Sequence, residues 1–313
     1  MKRDLLTLDD LTQLELASVL HTAARLKDYL RRGIPHRYLA GRTLGMIFKK
    51  PSSRTRVSFE VGMFQLGGLA LFLNNHDLGM GVRESVADIG RLFSRYLDGI
   101  VIRTFAHDEV EELARYATIP VINGLTDVHH PCQILADLLT IQEKFGRCEG
   151  VKVAWVGDGN NVANSWLQGG AKMGVHLALA CPRGYWPPSD LIRKTQEEAA
   201  TTGGSIEIME DPYQAVKGAD VIYTDVWVSM GQEVERRWRL EVFQPYQVNQ
   251  ALLDAAKPTT LVMHCLPAHR GEEITADVID GPRSIVFDHA ENRLHTQKAM
   301  LHFLLNRREE RPE

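Results

Sequence analysis

Residues 43–73, TLGMIFKKPSSRTRVSFEVGMFQLGGLALFL, decide the fold. TLGMIF and LALFL each read as a short strand. The stretch between them carries a helix start. Ser52 and Ser53 are good N-cap residues and Pro51 suits a helix entry. Gly67 and Gly68 end it. Strand, helix, strand in this order is a βαβ unit, which needs a parallel sheet.

The alternation extends both ways. Upstream lies a helix, with Thr7 or Asp9 as a cap and Leu11, Leu14, Leu20 and Leu30 mostly on one face. Downstream, ESVADIGRLFSRYL reads as a helix, DGIVIRTF as a strand, DEVEELARYA as a helix and IPVING as a strand. A helix then runs from about Pro131 to Phe145. The segment Gly146–Lys152 looks like a domain boundary. VKVAWVGDG starts a second alternation, through HLALACP, SDLIRKTQEEAAT, SIEIME, YQAVKGA, VIYTDVW and TTLVMHCLP. SIVFDHA reads as a last strand, and a final helix starts near His295. The expected fold is α/β: two doubly wound parallel-sheet domains linked by crossing helices. They span 1–147 and 148–294, with the helix 295–313 packing back on the first. In such sheets ligands bind beyond the carboxyl ends of strands.

Composition bounds the function. The 313 residues carry 36 Lys+Arg against 40 Asp+Glu, a net charge of −4, which argues against a general nucleic-acid binder. With 44% hydrophobic and 24% charged residues, the chain can build sizeable cores. No apolar run reaches the ~18 residues of a bilayer span, and the N-terminus does not read as a signal peptide. A cytoplasmic protein without membrane partners is expected. Cys132, Cys148, Cys181 and Cys265 are widely spaced, with no CxxC, so all four read as reduced thiols.

The chemistry-bearing residues cluster after strands. KKPSSRTR (49–56) joins a strand to a helix. The helix N-terminus, the hydroxyls of Ser52, Ser53 and Thr55, and the guanidinium of Arg54 make an anion cradle. Arg54 and Arg56 lie about 200° apart on a helix. Arg54 is therefore read as facing the ligand and Arg56 as a structural pair. The segment has no GxxxxGK[ST], so a small phosphorylated substrate suits it better than ATP. Arg103 ends a strand, and His130 sits just before a helix-opening Pro131. GDGNN (157–161) lacks the third Gly of a dinucleotide fingerprint, and no acid follows the next strand. Asn161 is left for a small polar ligand. Asp225, Ser229 and Met230 in DVWVSMGQE suit capture of an ammonium-bearing substrate under a lid. HCLPAHRG (264–271) resembles metal-ligand spacing only weakly, and no metal is expected. AENR (290–293) puts Arg293 at a strand-to-helix junction on this reading.

Taken in order, SSRTR, HHPCQILAD, GDGNN, DVWVSMGQE, HCLPAHRGEE and AENR resemble the aspartate/ornithine carbamoyltransferase family, on its ornithine branch. The resemblance covers nearly the whole chain. It implies transfer of the carbamoyl group of carbamoyl phosphate to the δ-amine of L-ornithine, giving L-citrulline and phosphate, with no cofactor. Carbamoyl phosphate would belong to the first domain. Ser52, Ser53, Arg54 and Thr55 match its phosphate motif, and Arg103, His130 and Gln133 match positions around the carbamoyl group. Cys265, Leu266 and Arg293 would complete that set. Asn161, Asp225, Ser229 and Met230 match the ornithine positions. Thr55, Arg103, His130 and Cys265 are the expected catalytic residues. The family forms trimers, so a homotrimer or a multiple of trimers is expected. One position departs from the pattern: family members usually carry Gln or His where this chain has Gly79, so either His76 or another side chain substitutes, or that cross-subunit contact is lost. Acceptors other than ornithine (putrescine, N-acetylornithine, aspartate) and a non-catalytic family member are the competing readings.

Overall fold

The computed structural model describes residues 2–306, apart from the side chains of residues 76 and 77. The chain forms two compact units, Met1–Leu139 with Asn292–Glu313, and Thr140–Glu291. The changeovers fall inside two helices rather than in the segment 146–152.

The first unit contains α1 (Gln13–Arg31), β1 (Thr43–Phe48), α2 (Ser53–Gln65), β2 (Leu69–Asn74), α3 (Asn75–Leu78), α4 (Val86–Phe93), β3 (Gly99–Arg103), α5 (His107–Tyr116), β4 (Val121–Leu125) and the start of α6 (Pro131–Phe145). Its four strands are parallel, in the order β2-β1-β3-β4. On α5, Val110, Leu113 and Ala114 follow i, i+3, i+4 spacing. They join Ile47, Ile100, Ile102 and Val121 in one buried cluster. The chain leaves β1 toward β2 on one side and β3 on the other. The loops after β1 and β3 thus flank a topological switch point, where doubly wound sheets bind ligands.

The second unit contains β5 (Lys152–Val156), α7 (Asn161–Lys172), β6 (His176–Ala180), α8 (Ser189–Thr202), β7 (Ser205–Met209), α9 (Pro212–Val216), β8 (Val221–Thr224), α10 (Arg236–Phe243), α11 (Gln250–Asp254), β9 (Leu261–His264), α12 (Ala276–Ile279) and the start of α13 (Val286–Leu305). The strands are again parallel, in the order β7-β6-β5-β8-β9. Here the switch point lies between β5 and β8.

Two expectations are corrected. SIVFDHA is not a strand: only Ser284 makes a bridge, to Val262, and α13 begins at Val286. A three-residue apolar run does not separate strand from buried helix. The run that follows is polar yet buried, with Asn292, Arg293, His295, Thr296, Gln297 and Lys298 all at 4% exposure or less. Within the first unit these groups have partners: Lys27 donates to Asn292 (2.6 Å) and Lys298 to Gln65 (2.9 Å). On α1, Leu14 and Leu30 are exposed, and the buried stripe is instead Leu16, Val19, Leu20, Ala23 and Leu26. Thr12 caps that helix, while Thr7 caps a short 3-10 turn.

Candidate active site

Ser52 is the N-cap of α2. Its Oγ accepts from the N–H of Thr55 (3.2 Å) and donates to the Thr55 hydroxyl (3.1 Å). Ser53 and Arg54 open the first turn. Arg56 turns away, pairs with Glu60 (2.9 Å) and lies over the ring of Phe72. This is the division of the two arginines that helical rotation requires.

Arg293 reaches this cradle from α13. Its Nη2 donates to Oγ1 of Thr55 (3.2 Å) and its Nη1 to Oε1 of Gln133 (2.6 Å). Arg293 thus lies inside a helix, not at a strand-to-helix junction. Arg103 ends β3 and is buried. The N–H groups of Lys49 and Lys50 both donate to its carbonyl, tying the loop after β1 to the end of β3. Lys50 is itself buried, paired with Asp127 and set over the ring of Phe105. That pair joins the same loop to the segment carrying His130.

His130 reports the electrostatics. Burial first, then the charges of Arg293, Arg103 and Arg54, hold it well below the usual imidazole pKa. It is therefore neutral near pH 7, and three guanidinium groups act on one imidazole. Such a concentration of positive charge suits a multiply charged anion. The neutral ring remains able to donate a hydrogen bond to a carbonyl oxygen.

In the second unit, the switch-point loops carry Asn160 and Asp225. Asn160 caps α7 through its side-chain oxygen, and its Nδ2 donates to Oδ2 of Asp225 (2.8 Å). The other Asp225 oxygen accepts from the thiol of Cys265 (2.7 Å) and from the N–H of Val226 (2.8 Å). Asn161 is the first helical residue, one position past the side chain that holds Asp225. Ser229 donates its N–H to Gln232 (3.0 Å), and Met230 is exposed.

Arg239 braces this half. Its Nε donates to the carbonyl of Trp227 (2.6 Å) and its Nη2 pairs with Asp158. Its guanidinium lies over the rings of Tyr185 and Phe243. Arg239 thereby connects the loop after β8 to the loop after β5. Burial pushes the Asp158 carboxyl up to about 6, against the pull of Arg239.

The HCLP segment is held from behind. Nδ1 of His264 accepts from the N–H of Leu266 (2.9 Å), so the proton is on Nε2, which donates to Glu273 (3.0 Å). Glu273 also accepts from the N–H of His269 (2.6 Å). Leu266 sits at φ 58°, a left-handed conformation unusual for a side-chain-bearing residue. Asp225, His264 and Cys265 bring possible ligand atoms within 4.8 Å of one another. Both His264 nitrogens are engaged, however, which leaves that ring no lone pair for an ion. Cys132, Cys148 and Cys181 are buried thiols with raised pKa, the first at about 11 and the second at about 12. They are poor nucleophiles.

Gly79 ends α3. Its N–H donates to the carbonyl of Asn75 (2.7 Å) and its φ is 66°, the left-handed helix stop that favours glycine. The side chain of His76 lies outside the described residues.

Sequence reading alone passed over Asn160, Asp158 and Arg239. Asn160 carried a signal, since Asn before a helix is a strong cap. Asp158 and Arg239 carried none, because they lie 81 positions apart and meet only in the folded chain.

Two family models match. One, described as the aspartate/ornithine carbamoyltransferase carbamoyl-P binding domain, covers residues 3–143. The other, the Asp/Orn binding domain, covers residues 149–304. The chain belongs to the aspartate/ornithine carbamoyltransferase family. It is 57% identical to a protein of Syntrophus aciditrophicus named ornithine carbamoyltransferase, over 97% of this chain and 100% of that protein. A relative from Pyrococcus furiosus named ornithine carbamoyltransferase, anabolic, is 56% identical over 96% of this chain and 95% of its own length. The solved ornithine carbamoyltransferase from Pyrococcus furiosus superposes with a TM-score of 0.95 at 55% identity, covering 97% of each chain. These family members share the two parallel-sheet α/β domains found here.

Proposed function

We propose that the chain transfers the carbamoyl group of carbamoyl phosphate to the δ-amine of L-ornithine, releasing L-citrulline and phosphate. One observation carries this reading: three arginines, from α2, β3 and α13, act on a single buried, neutral histidine. That is an anion site with a neutral donor beside it, which a carbonyl-bearing phosphate requires.

In this reading Ser52, Ser53, Arg54 and Thr55 hold the phosphate, with Arg103 and Arg293. His130 and Arg103 donate to the carbonyl oxygen, Gln133 receives the carbamoyl amino group, and Cys265 and Leu266 border it. Asp225, with Asn161, Ser229 and Met230, takes the amino-acid end of ornithine. The amine lone pair attacks the carbonyl carbon as the carbon–oxygen bond to phosphate breaks. The electron pair leaves with phosphate, and the proton shed by nitrogen balances as hydrogen phosphate. Charge grows on the carbonyl oxygen and the leaving group, where the preorganised donors lie. Proximity supplies much of the remainder.

An anabolic relative supports a biosynthetic direction, with citrulline used for arginine. Val57 and Phe64, seven residues apart on one side of α2, and Leu69 on β2 are exposed apolar side chains, which supports self-association, read as a trimer. Four free cysteines suit a reducing compartment, read as the cytoplasm. Among the described residues no helix is long and apolar enough to cross a membrane.

The test is an acceptor screen with purified protein and carbamoyl phosphate. Citrulline and phosphate should form in equal amounts with ornithine. Faster turnover of putrescine, N-acetylornithine or aspartate would reject the acceptor assignment. No phosphate release with any acceptor would reject catalysis.

A further inference from the structure

The amide of Gln133 lies between an obligate donor and an obligate acceptor. Arg293 donates to its Oε1 at 2.6 Å, and its Nε2 donates to Oδ1 of Asp137 at 2.9 Å. A guanidinium has no acceptor, and a carboxylate has no donor. The orientation of this amide is therefore dictated by its neighbours. Gln133, Asp137 and Arg293 are all buried, at 1%, 0% and 4% exposure. Gln133 and Asp137 are four residues apart on α6, so the helix itself brings them together. A carboxylate at 0% exposure is costly to bury unless its oxygens are hydrogen-bonded.

We propose that Asp137 is a positioning residue for donor-substrate selection: it fixes Gln133 with the carbonyl oxygen on the Arg293 side, where it accepts from the amino group of carbamoyl phosphate. The inference rests on the reading that Gln133 faces the carbamoyl group. A carbonyl oxygen has two acceptor sites, and Arg293 takes one. An amino group can use the other, whereas a methyl group of the same size cannot. The site thereby favours carbamoyl phosphate over acyl phosphates of similar shape, such as acetyl phosphate. A site built to hydrogen-bond a substrate N–H rejects the analogue that lacks it. With the amide turned over, two N–H donors would face the ligand and the guanidinium, and this basis for discrimination would be gone.

The experiment is a calorimetric comparison of carbamoyl phosphate, acetyl phosphate and inorganic phosphate binding to wild type, Asp137→Asn and Asp137→Glu. Asparagine can donate as well as accept, so it releases the amide of Gln133; glutamate remains an acceptor. The preference for carbamoyl over acetyl phosphate should fall about tenfold in Asp137→Asn and recover to within about threefold of wild type in Asp137→Glu. Inorganic phosphate, which has neither group, should bind all three proteins within about twofold, a pattern that general damage to the cradle would not give. An unchanged preference in folded Asp137→Asn overturns the proposal. Should that variant not fold, Asp137→Ser, smaller and also able to donate, gives the same readout. A wild-type protein that binds inorganic phosphate but does not distinguish carbamoyl from acetyl phosphate would instead remove the reading of Gln133, and this proposal with it.

Discussion

Arg293 donates to Gln133 at 2.6 Å across 160 positions of sequence, and its second nitrogen holds the hydroxyl of Thr55. One planar fork thus spans the start of α2 and the first turn of α6. Lysine keeps the charge but not the fork. Arg293→Lys should lower kcat/KM for citrulline formation by about 10²–10³, the scale of one lost preorganised donor. Initial rates in carbamoyl phosphate and in ornithine check this; wild-type values in the variant would remove Arg293 from the site.

His130 makes stability pH-dependent. The unfolded chain protonates this imidazole below about 6.5, whereas the folded chain does so only at markedly lower pH. Between those limits the unfolded state binds more protons, so His130 erodes stability as pH falls below about 6.5. His130→Asn removes that contribution. Urea unfolding of both proteins at pH 8 and pH 5 should show the variant gaining on wild type at the lower pH. An identical difference at the two values would show that His130 titrates normally in the fold.

Asp225 accepts from Asn160, from Cys265 and from the N–H of Val226, all within the second unit. Asp225→Ala should raise the KM for ornithine about ten- to a hundredfold, the scale of a lost hydrogen bond to a charged group. Carbamoyl phosphate should still bind within about twofold, measured without acceptor. Parallel loss of both affinities would argue for collapse of the site.

The Arg239–Asp158 pair is buried, so removing one partner strands the other charge. Arg239→Met should cost about 3–5 kcal/mol of stability. It should also raise the KM for ornithine, because the loops after β5 and β8 lose their tie. Thermal unfolding and steady-state kinetics read the two effects separately. A rise in the carbamoyl phosphate KM alone would contradict the placement of this brace.

The central strands β1, β3, β5 and β8 were legible because buried parallel strands are apolar along nearly their whole length. The phosphate cradle was legible for a local reason too: the Ser that caps a helix and the groups that hold an anion are neighbours in sequence. Arg293 was recognisable as a residue but misplaced, since the run SIVF fits a strand as well as a helix start and the buried polar face of α13 looks solvent-facing. The tie of Asn160 to Asp225 was not legible, because the folded chain brings the cap of α7 beside the loop after β8. Asp137, Asp158 and Arg239 were silent because each draws its meaning from a partner, and pairing is decided by the folded chain.

The brace made by Arg239 also sets the size of any transplant. An engineer who wants this scaffold to accept a different amine would first exchange the loop Asp225–Gln232. That loop is pinned through the Trp227 carbonyl to a helix residue, and the residue is pinned in turn to Asp158. The exchangeable part is therefore the loop together with α10, through Phe243, and it must arrive with an arginine that Asp158 can receive.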